Sequence, residues 1–241
     1  MITYSTYSDI GGRKVNEDSF KVVDLGDKKL FVVADGLGGH GKGEIASALV
    51  TDIISSYFEE NNSIKNCLES AVSAAQEVLL EKQIELKAKD EMKTTVVALM
   101  IDKNKARWIH CGDSRCYRFY ENKYAERTLD HSVPQMLVRM KLIREEDIRY
   151  HSERNLVLKV MGTKWEKPQY ESGQIMKMKK CQAFLLCTDG FWELVTESYM
   201  EKFLKESLSV DEWLNKMVEV VKDNGYGEKM DNNTAIAVWC D

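Results

Sequence analysis

Several apolar runs in this sequence break off at an acidic residue, and that pattern restricts what the chain can fold into. Residues 29–34 (K-L-F-V-V-A) are followed by Asp35 and Gly36, residues 183–188 (A-F-L-L-C-T) by Asp189 and Gly190, and residues 107–112 by Asp113. Asp231 stands just before the apolar run 234–239, and Glu17 and Asp18 just before the run that opens at Phe20. Short apolar runs with turn residues at their ends predict buried strands. A carboxylate at the end of such a strand is half desolvated and costs free energy unless it is paired. Several of them brought to one place also repel one another.

A cation is the natural compensation. The donors are hard oxygens with no cysteine or histidine pattern beside them, which points to Mg²⁺, Mn²⁺ or Ca²⁺ in preference to zinc. No loop has the EF-hand spacing, so a two-metal centre for phosphoryl chemistry is the better reading. Two cations ~3.5–4 Å apart can activate a water and stabilise the leaving oxygen. Gly36, with no side chain, leaves its backbone carbonyl accessible as a further ligand. Arg13 lies four residues before Glu17, where a guanidinium can grip a phosphate with two parallel hydrogen bonds.

The order of elements gives the fold class. Strand-like runs at 2–8 and 20–24 flank a turn at Gly11 and Gly12, and the buried run 29–34 follows. Ile45, Leu49, Ile53 and Tyr57 repeat at helical spacing, as do Ile64, Leu68, Ala71, Val72, Ala75, Val78 and Leu79. Strands return at 94–101, 107–112 and 116–120, and the charged stretch 134–154 reads as short helices or a mobile segment. After the strand 183–188, Ser198 with Glu201 and Ser209 with Glu212 have the spacing of a capping box. The second box leads into Trp213, Leu214, Met217, Val218 and Val221, and the last strand is 234–239. This is not the regular βαβ alternation of a parallel sheet; antiparallel sheets covered by helix pairs fit it better. With two prolines and no Gly/Ser/Pro-rich linker, residues 1–241 read as one domain.

Charge and composition exclude other classes. The 34 basic against 39 acidic residues leave a net charge of -5, no electrostatic footprint for nucleic acid. No apolar run approaches the roughly 20 residues that span a bilayer, and the polar N-terminus is not a signal peptide. Cys67, Cys111, Cys116, Cys181, Cys187 and Cys240 form no C-x-x-C pair and read as reduced thiols of a cytoplasmic protein. The glycines between 36 and 43 lack the Walker lysine pattern and the G-x-G-x-x-G spacing of a nucleotide loop.

Six motifs carry a resemblance. Residues 13–18 (R-K-V-N-E-D), 33–47 (V-A-D-G-L-G-G-H-G-K-G-E-I-A-S), 112–115 (G-D-S-R), 130–132 (D-H-S), 186–190 (L-C-T-D-G) and 231–234 (D-N-N-T) resemble, in order, the motifs of the type-2C protein phosphatases, the metal-dependent PPM family in its compact bacterial form. The resemblance extends from near residue 5 to residue 240. It implies an α+β fold, a four-layer α-β-β-α sandwich of two antiparallel sheets flanked by helix pairs. It implies Mn²⁺ or Mg²⁺ as cofactor, two core ions and a third. Asp35 would bridge the core ions, Asp189 and Asp231 would complete one, and Glu17 with the Gly36 carbonyl would serve the other. Asp113 with Asp189 would hold the third ion. Asp18 would orient a metal-bound water, and Arg13 would bind the substrate phosphate. Residues 132–154 match the flap that borders the active site. The implied substrates are phosphorylated proteins, products of a serine/threonine kinase, and a monomer is expected.

One position departs from the family. Members from higher organisms often read D-G-H, with the histidine proposed as general acid; here that position is Leu37. His40 matches the bacterial pattern and takes no acid role, which a metal-bound water could fill. The expected mechanism is in-line attack on the phosphorus by a metal-bridging hydroxide. Arg115, Asp130 and His131 read as structural, and His110 and His151 carry no motif. The rival readings are a catalytically dead binding module, a phosphatase of small metabolites and a metal-dependent nuclease. The first should have lost a metal aspartate, and the acidic charge disfavours the last.

Overall fold

A computed structural model describes residues 1–38, 42–89, 91–178, 182–225 and 230–240. His40 and Cys181, singled out above, lie outside these residues. The run at 29–34 forms the middle of β3 (Lys28–Leu37), preceded by β1 (Ile2–Asp9) and β2 (Asp18–Asp24). Leu30, Phe31, Val32, Val33 and Ala34 are all fully buried, and the two-residue period of a strand explains how. Leu30 and Val32 face α1 (Gly43–Glu60) and α2 (Cys67–Glu85), packing on Val50, Ile54, Leu68 and Ala75. Phe31 and Val33 point the other way, into a second sheet.

The middle of the chain supplies β4 (Lys93–Thr94), β5 (Val96–Asp102), β6 (Lys105–Cys111), β7 (Arg115–Tyr120) and β8 (Lys123–Arg127). The charged stretch then forms α3 (Val133–Arg139) and a 3₁₀ turn (Glu145–Tyr150), before β9 (Glu171–Ser172) and β10 (Met176–Lys177). The last part is β11 (Gln182–Cys187), α4 (Asp189–Trp192), α5 (Glu197–Glu206), α6 (Val210–Gly225) and β12 (Asn233–Cys240). One sheet runs β1-β12-β11-β7-β8; the other runs β10-β6-β5-β3-β2, with β4 on β3 and β9 on β6. The named pairings are all antiparallel.

Three apolar layers hold this together. Phe31, Val33, Val97 and Leu99 meet Phe184, Leu186, Ile236 and Val238 between the sheets. Tyr117, Phe119, Leu185 and Ala237 turn outward onto Trp213, Leu214 and Met217 of α6. The third layer is the α1/α2 contact already described. The architecture is the expected four-layer α-β-β-α sandwich.

Local details differ from the sequence reading. The Ser198–Glu201 box does not form: the cap position of α5 falls on Thr196, two residues earlier, and the Oγ1 of Thr196 lies 2.8 Å from Ser198 Oγ. Glu201 instead accepts from the backbone N–H of Tyr124 at 2.7 Å. Ser209 does cap, accepting from Glu212 N at 3.2 Å, but the Glu212 carboxylate takes the N–H of Leu208 at 2.8 Å. Cys67, Cys111, Cys116 and Cys187 are free thiols, and they and Cys240 are buried.

Beneath α3 lies a buried ionic group. Arg115 grips Asp130 with two bonds, Nε to Oδ1 at 2.9 Å and Nη2 to Oδ2 at 2.7 Å, and Arg127 Nη1 adds a third to Oδ1 at 3.0 Å. The Arg115 guanidinium also lies 3.4 Å from the ring centre of Trp192. Asp130→Ala would take from the buried Arg115 guanidinium its bidentate carboxylate, leaving Arg127 with Glu145, a loss of about 3–5 kcal/mol. Urea unfolding checks this; a loss under about 1 kcal/mol, the value of a surface pair, would contradict it.

Candidate active site

β2 and β3 pair in a register that sets Asp18 directly opposite Asp35, an arrangement of like charges that destabilises a sheet. The ends of the other sheet meet them. Asp189 opens α4 immediately after β11, Asp231 precedes β12, and Asp113 sits in the turn between β6 and β7. Asp35 feels the charges of Asp189, Asp18, Asp113 and Asp231 together. The strand ends therefore bring the predicted aspartates to one end of the sandwich.

Backbone and hydroxyl contacts fix each of them. Asp35 donates its N–H to Thr95 Oγ1 at 3.1 Å, and its carbonyl accepts from Thr95 N and Thr94 Oγ1, each at 2.8 Å. Thr95 Oγ1 is also 2.7 Å from Ser114 Oγ, which ties β3 to the turn carrying Asp113. Asp18 Oδ2 accepts from Thr188 Oγ1 at 2.9 Å. Asn232 straps the Arg13–Glu17 loop down: its Oδ1 accepts from Glu17 N at 2.8 Å, and its Nδ2 donates to the carbonyls of Ile10 (2.9 Å) and Val15 (3.0 Å). Gly36 donates to the Glu17 carbonyl at 3.0 Å. A Cβ on Gly36 would fall 2.2 Å from the Gly43 carbonyl oxygen, so only glycine lets β3 pass the start of α1 this closely. Arg13 lies at the rim, its Nη2 2.6 Å from Asp231 Oδ2.

The electrostatics among these carboxyls are strained. Burial, reinforced by neighbouring carboxylates, pushes Asp18 up to about 7. Burial and the charges of Glu193 and Asp231 push Asp189 up to about 6. Asp35 and Asp113 are driven well above the carboxylate range, by burial first and then by Asp189. Glu17 is raised by burial and by Glu44. Asp18 Oδ1 is buried with no partner. All-oxygen donors, an orphaned carboxylate oxygen and several buried acids that raise one another fit a site whose charge is balanced by oxygen-seeking divalent cations.

Two further carboxylates escaped the sequence reading. Glu44, at the start of α1, has a buried Oε2 with no partner. Glu193 follows Asp189 by one helical turn and accepts from Arg154 Nε at 3.0 Å. Arg13, Arg154, Asp189, Glu193 and Asp231 line one cleft. The spacing of Glu193 to Asp189 was a usable signal. Thr188 and Asn232 lay inside quoted motifs, but only the aspartates there were given roles.

Fold and site together define a carboxylate-lined, metal-dependent phosphoester hydrolase. The family model for protein phosphatase 2C matches residues 7–233, and the chain belongs to that family. It is 32% identical over 233 residues to the serine/threonine phosphatase stp of Listeria welshimeri, with 94% of this chain and 90% of the relative covered. Among solved structures, serine/threonine phosphatase Stp1 from Staphylococcus aureus superposes with a TM-score of 0.86 at 27% identity, covering 100% of this chain and 96% of that one. The catalytic domain of the phosphatase PstP in complex with two manganese ions gives 0.85 at 25% identity, covering 100% and 99%.

The raised aspartates fix the sign of a pH dependence in EDTA. A carboxyl raised on folding keeps a proton that the unfolded chain releases near pH ~4. Its contribution to stability is intact below that pH and is lost as pH climbs through the folded values, about 6 for Asp189 and about 7 for Asp18. The metal-free protein is expected to melt at progressively lower temperature across that window, and Asp18→Asn to flatten the fall. A wild-type midpoint that rises across the window, or a variant just as steep, would contradict it.

Proposed function

We propose that this chain hydrolyses phosphoserine and phosphothreonine in proteins with Mn²⁺ or Mg²⁺, two core ions and a third. The observation that carries the reading is the convergence of Asp18, Asp35, Asp189, Asp231 and Asp113 on one end of the sandwich. Relatives across the matched length bear the name serine/threonine phosphatase, which supports the substrate class.

In this reading Asp35 would serve both core ions, Asp189 and Asp231 would help hold one, Glu17 and the Gly36 carbonyl the other, and Asp113 with Asp189 would hold the third. When bound, such ions lower the pKa of water towards ~7 and neutralise charge on the phosphoryl oxygens. The protein's own groups do the rest. Asp18, with Oδ2 pinned by Thr188 and Oδ1 uncommitted, orients the attacking water for in-line approach. Arg13 exchanges Asp231 for the substrate phosphate; its present ion pair is half exposed on both sides and so costs little to give up. Leu37, apolar, supplies no proton to the leaving alkoxide. Residues 132–154 form the flap beside the site.

The substrates in this reading are proteins phosphorylated by a serine/threonine kinase. The chain is read as a monomer, one copy supplying the whole proposed ligand set. Its setting is the cytoplasm, a reading the free, buried thiols of Cys67, Cys111, Cys116 and Cys187 support. Among the described residues, no helix is long and apolar enough to cross a membrane.

Phosphate release from a phosphothreonine peptide tests the assignment. Turnover is expected with Mn²⁺ or Mg²⁺ and not in EDTA. Asp35→Asn should lose more than the ~10–100-fold that removal of an outer-shell partner costs. Arg13→Ala should raise KM by about 10–100-fold, the equivalent of a charge-assisted bond of ~1.5–3 kcal/mol. Faster turnover of small phosphorylated metabolites than of the peptide would contradict the substrate class. A folded wild type inactive with every metal would favour a binding module.

A further inference from the structure

The turn that carries Asp113 is held by a residue outside the proposed ligand set. Gly112 has φ +113°, and a Cβ there would lie 2.5 Å from Thr95 Cβ, so the turn is drawn tight against β5 and admits only glycine. The Gly112 N–H donates to His131 Nδ1 at 3.1 Å. The Gly112 carbonyl accepts the backbone N–H of His131 at 2.9 Å. On the far side, Trp192 Nε1 donates to the Asp113 carbonyl at 3.1 Å. The peptide units before and after Asp113 are thus both anchored.

The bond to Gly112 also fixes the state of the imidazole. Nδ1 can accept only if it carries no proton, which leaves the ring proton on Nε2. Nε2 lies 3.1 Å from Glu171 Oε1, bent from the line of a well-formed hydrogen bond. That carboxylate still favours a proton on Nε2. His110 stacks on His131 at 4.7 Å with ring planes 12° apart, and is itself fixed by Nε2 at 2.9 Å from the Leu129 carbonyl.

His110, His131 and Glu171 bring ligand atoms within 4.8 Å of one another, yet their geometry argues against a second metal site. Near-parallel rings cannot both turn their in-plane lone pairs on one ion. The one lone pair of His131 is already taken by Gly112. Arg139 Nη2 and Lys159 Nζ each lie 3.7 Å from Glu171 Oε1, so the carboxylate already faces two cations.

We propose that His131 is a positioning residue for Asp113: through the Nδ1 acceptor it holds the Cys111–Gly112 peptide, and with it the tight turn at Gly112 that points the Asp113 carboxylate at the metal centre, with Glu171 selecting the tautomer. The proposal rests on Asp113 being a metal ligand, and the experiment separates the two. Mn²⁺ binding is titrated by the electron spin resonance of free Mn²⁺ for wild type, Asp113→Asn, His131→Ala, His131→Gln and His131→Asn. Asp113→Asn should abolish the weakest class of sites. His131→Ala and His131→Gln should weaken that class by about 10–100-fold and spare the tighter class. His131→Asn, whose Oδ1 can occupy the place of Nδ1, should restore most of the loss. Unchanged binding in Asp113→Asn would overturn the ligand reading and the proposal with it. A loss in Asp113→Asn but not in His131→Ala would overturn the positioning role alone. Equal weakening of every class, or no rescue by asparagine, would also overturn it, because a merely structural histidine behaves so. Nitrogen-15 NMR of the metal-free wild type gives an independent reading: an unprotonated Nδ1 is expected, and a protonated one would overturn the proposal.

Discussion

Asp18 and Asp35 face each other across two adjacent strands, while Asp113, Asp189 and Asp231 close on Asp35 from the second sheet and its turns. Arg13 at the rim is committed to Asp231, and the hydroxyl of Thr188 satisfies one oxygen of Asp18 while the other stays orphaned. The rest of the structure can be understood as what is needed to hold these acids together against their repulsion. Two sheets with a shared apolar layer give strand ends that cannot splay. In the family's reaction the same repulsion becomes affinity for divalent cations, so the instability of the metal-free end and its capacity for phosphoryl chemistry have one origin.

The holding is done largely by neutral groups. Thr94, Thr95 and Ser114 link β3 to the Asp113 turn, and Asn232 links the Arg13–Glu17 loop to the start of β12. Behind them the Asp130–Arg115–Trp192 group supports Asp113 from below, since Trp192 bonds its carbonyl and Arg115 lies on the Trp192 ring. The same charged layer reaches the stretch after α3: Arg127 bonds Glu145, and Arg149 bonds Glu197 at 2.7 Å. Position matters here because a shift near 1 Å in a reacting group can cost ~100-fold in rate.

The legible part of this site was the part written along the chain. Asp35 and Asp189 stand out because an apolar strand must precede them, and α1, α2 and α6 because their stripes repeat. The antiparallel layering followed from element order. The edge strand β8 did not show, because its residues are mostly exposed and carry no apolar period. The Ser198–Glu201 spacing promised a cap, but Thr196 and Tyr124 offered those side chains other partners. Glu44 stays hidden, since an acidic residue at a helix start carries no sign of what lies opposite, and Glu193 shows only through its spacing to Asp189. His131 reads from the sequence only as structural, because its hold on Gly112 is a contact between two loops 19 positions apart.

The measurement closest to the central claim is anomalous diffraction at the manganese edge from crystals of the protein grown with Mn²⁺. Peaks are expected beside Asp35, shared with Asp189 and Asp231 on one side and with Glu17 on the other. Crystals that contain bound manganese with no peak beside Asp35, the ions lying only on exposed carboxylates or at Glu171, would contradict the claim that this cluster of buried acids is a metal centre.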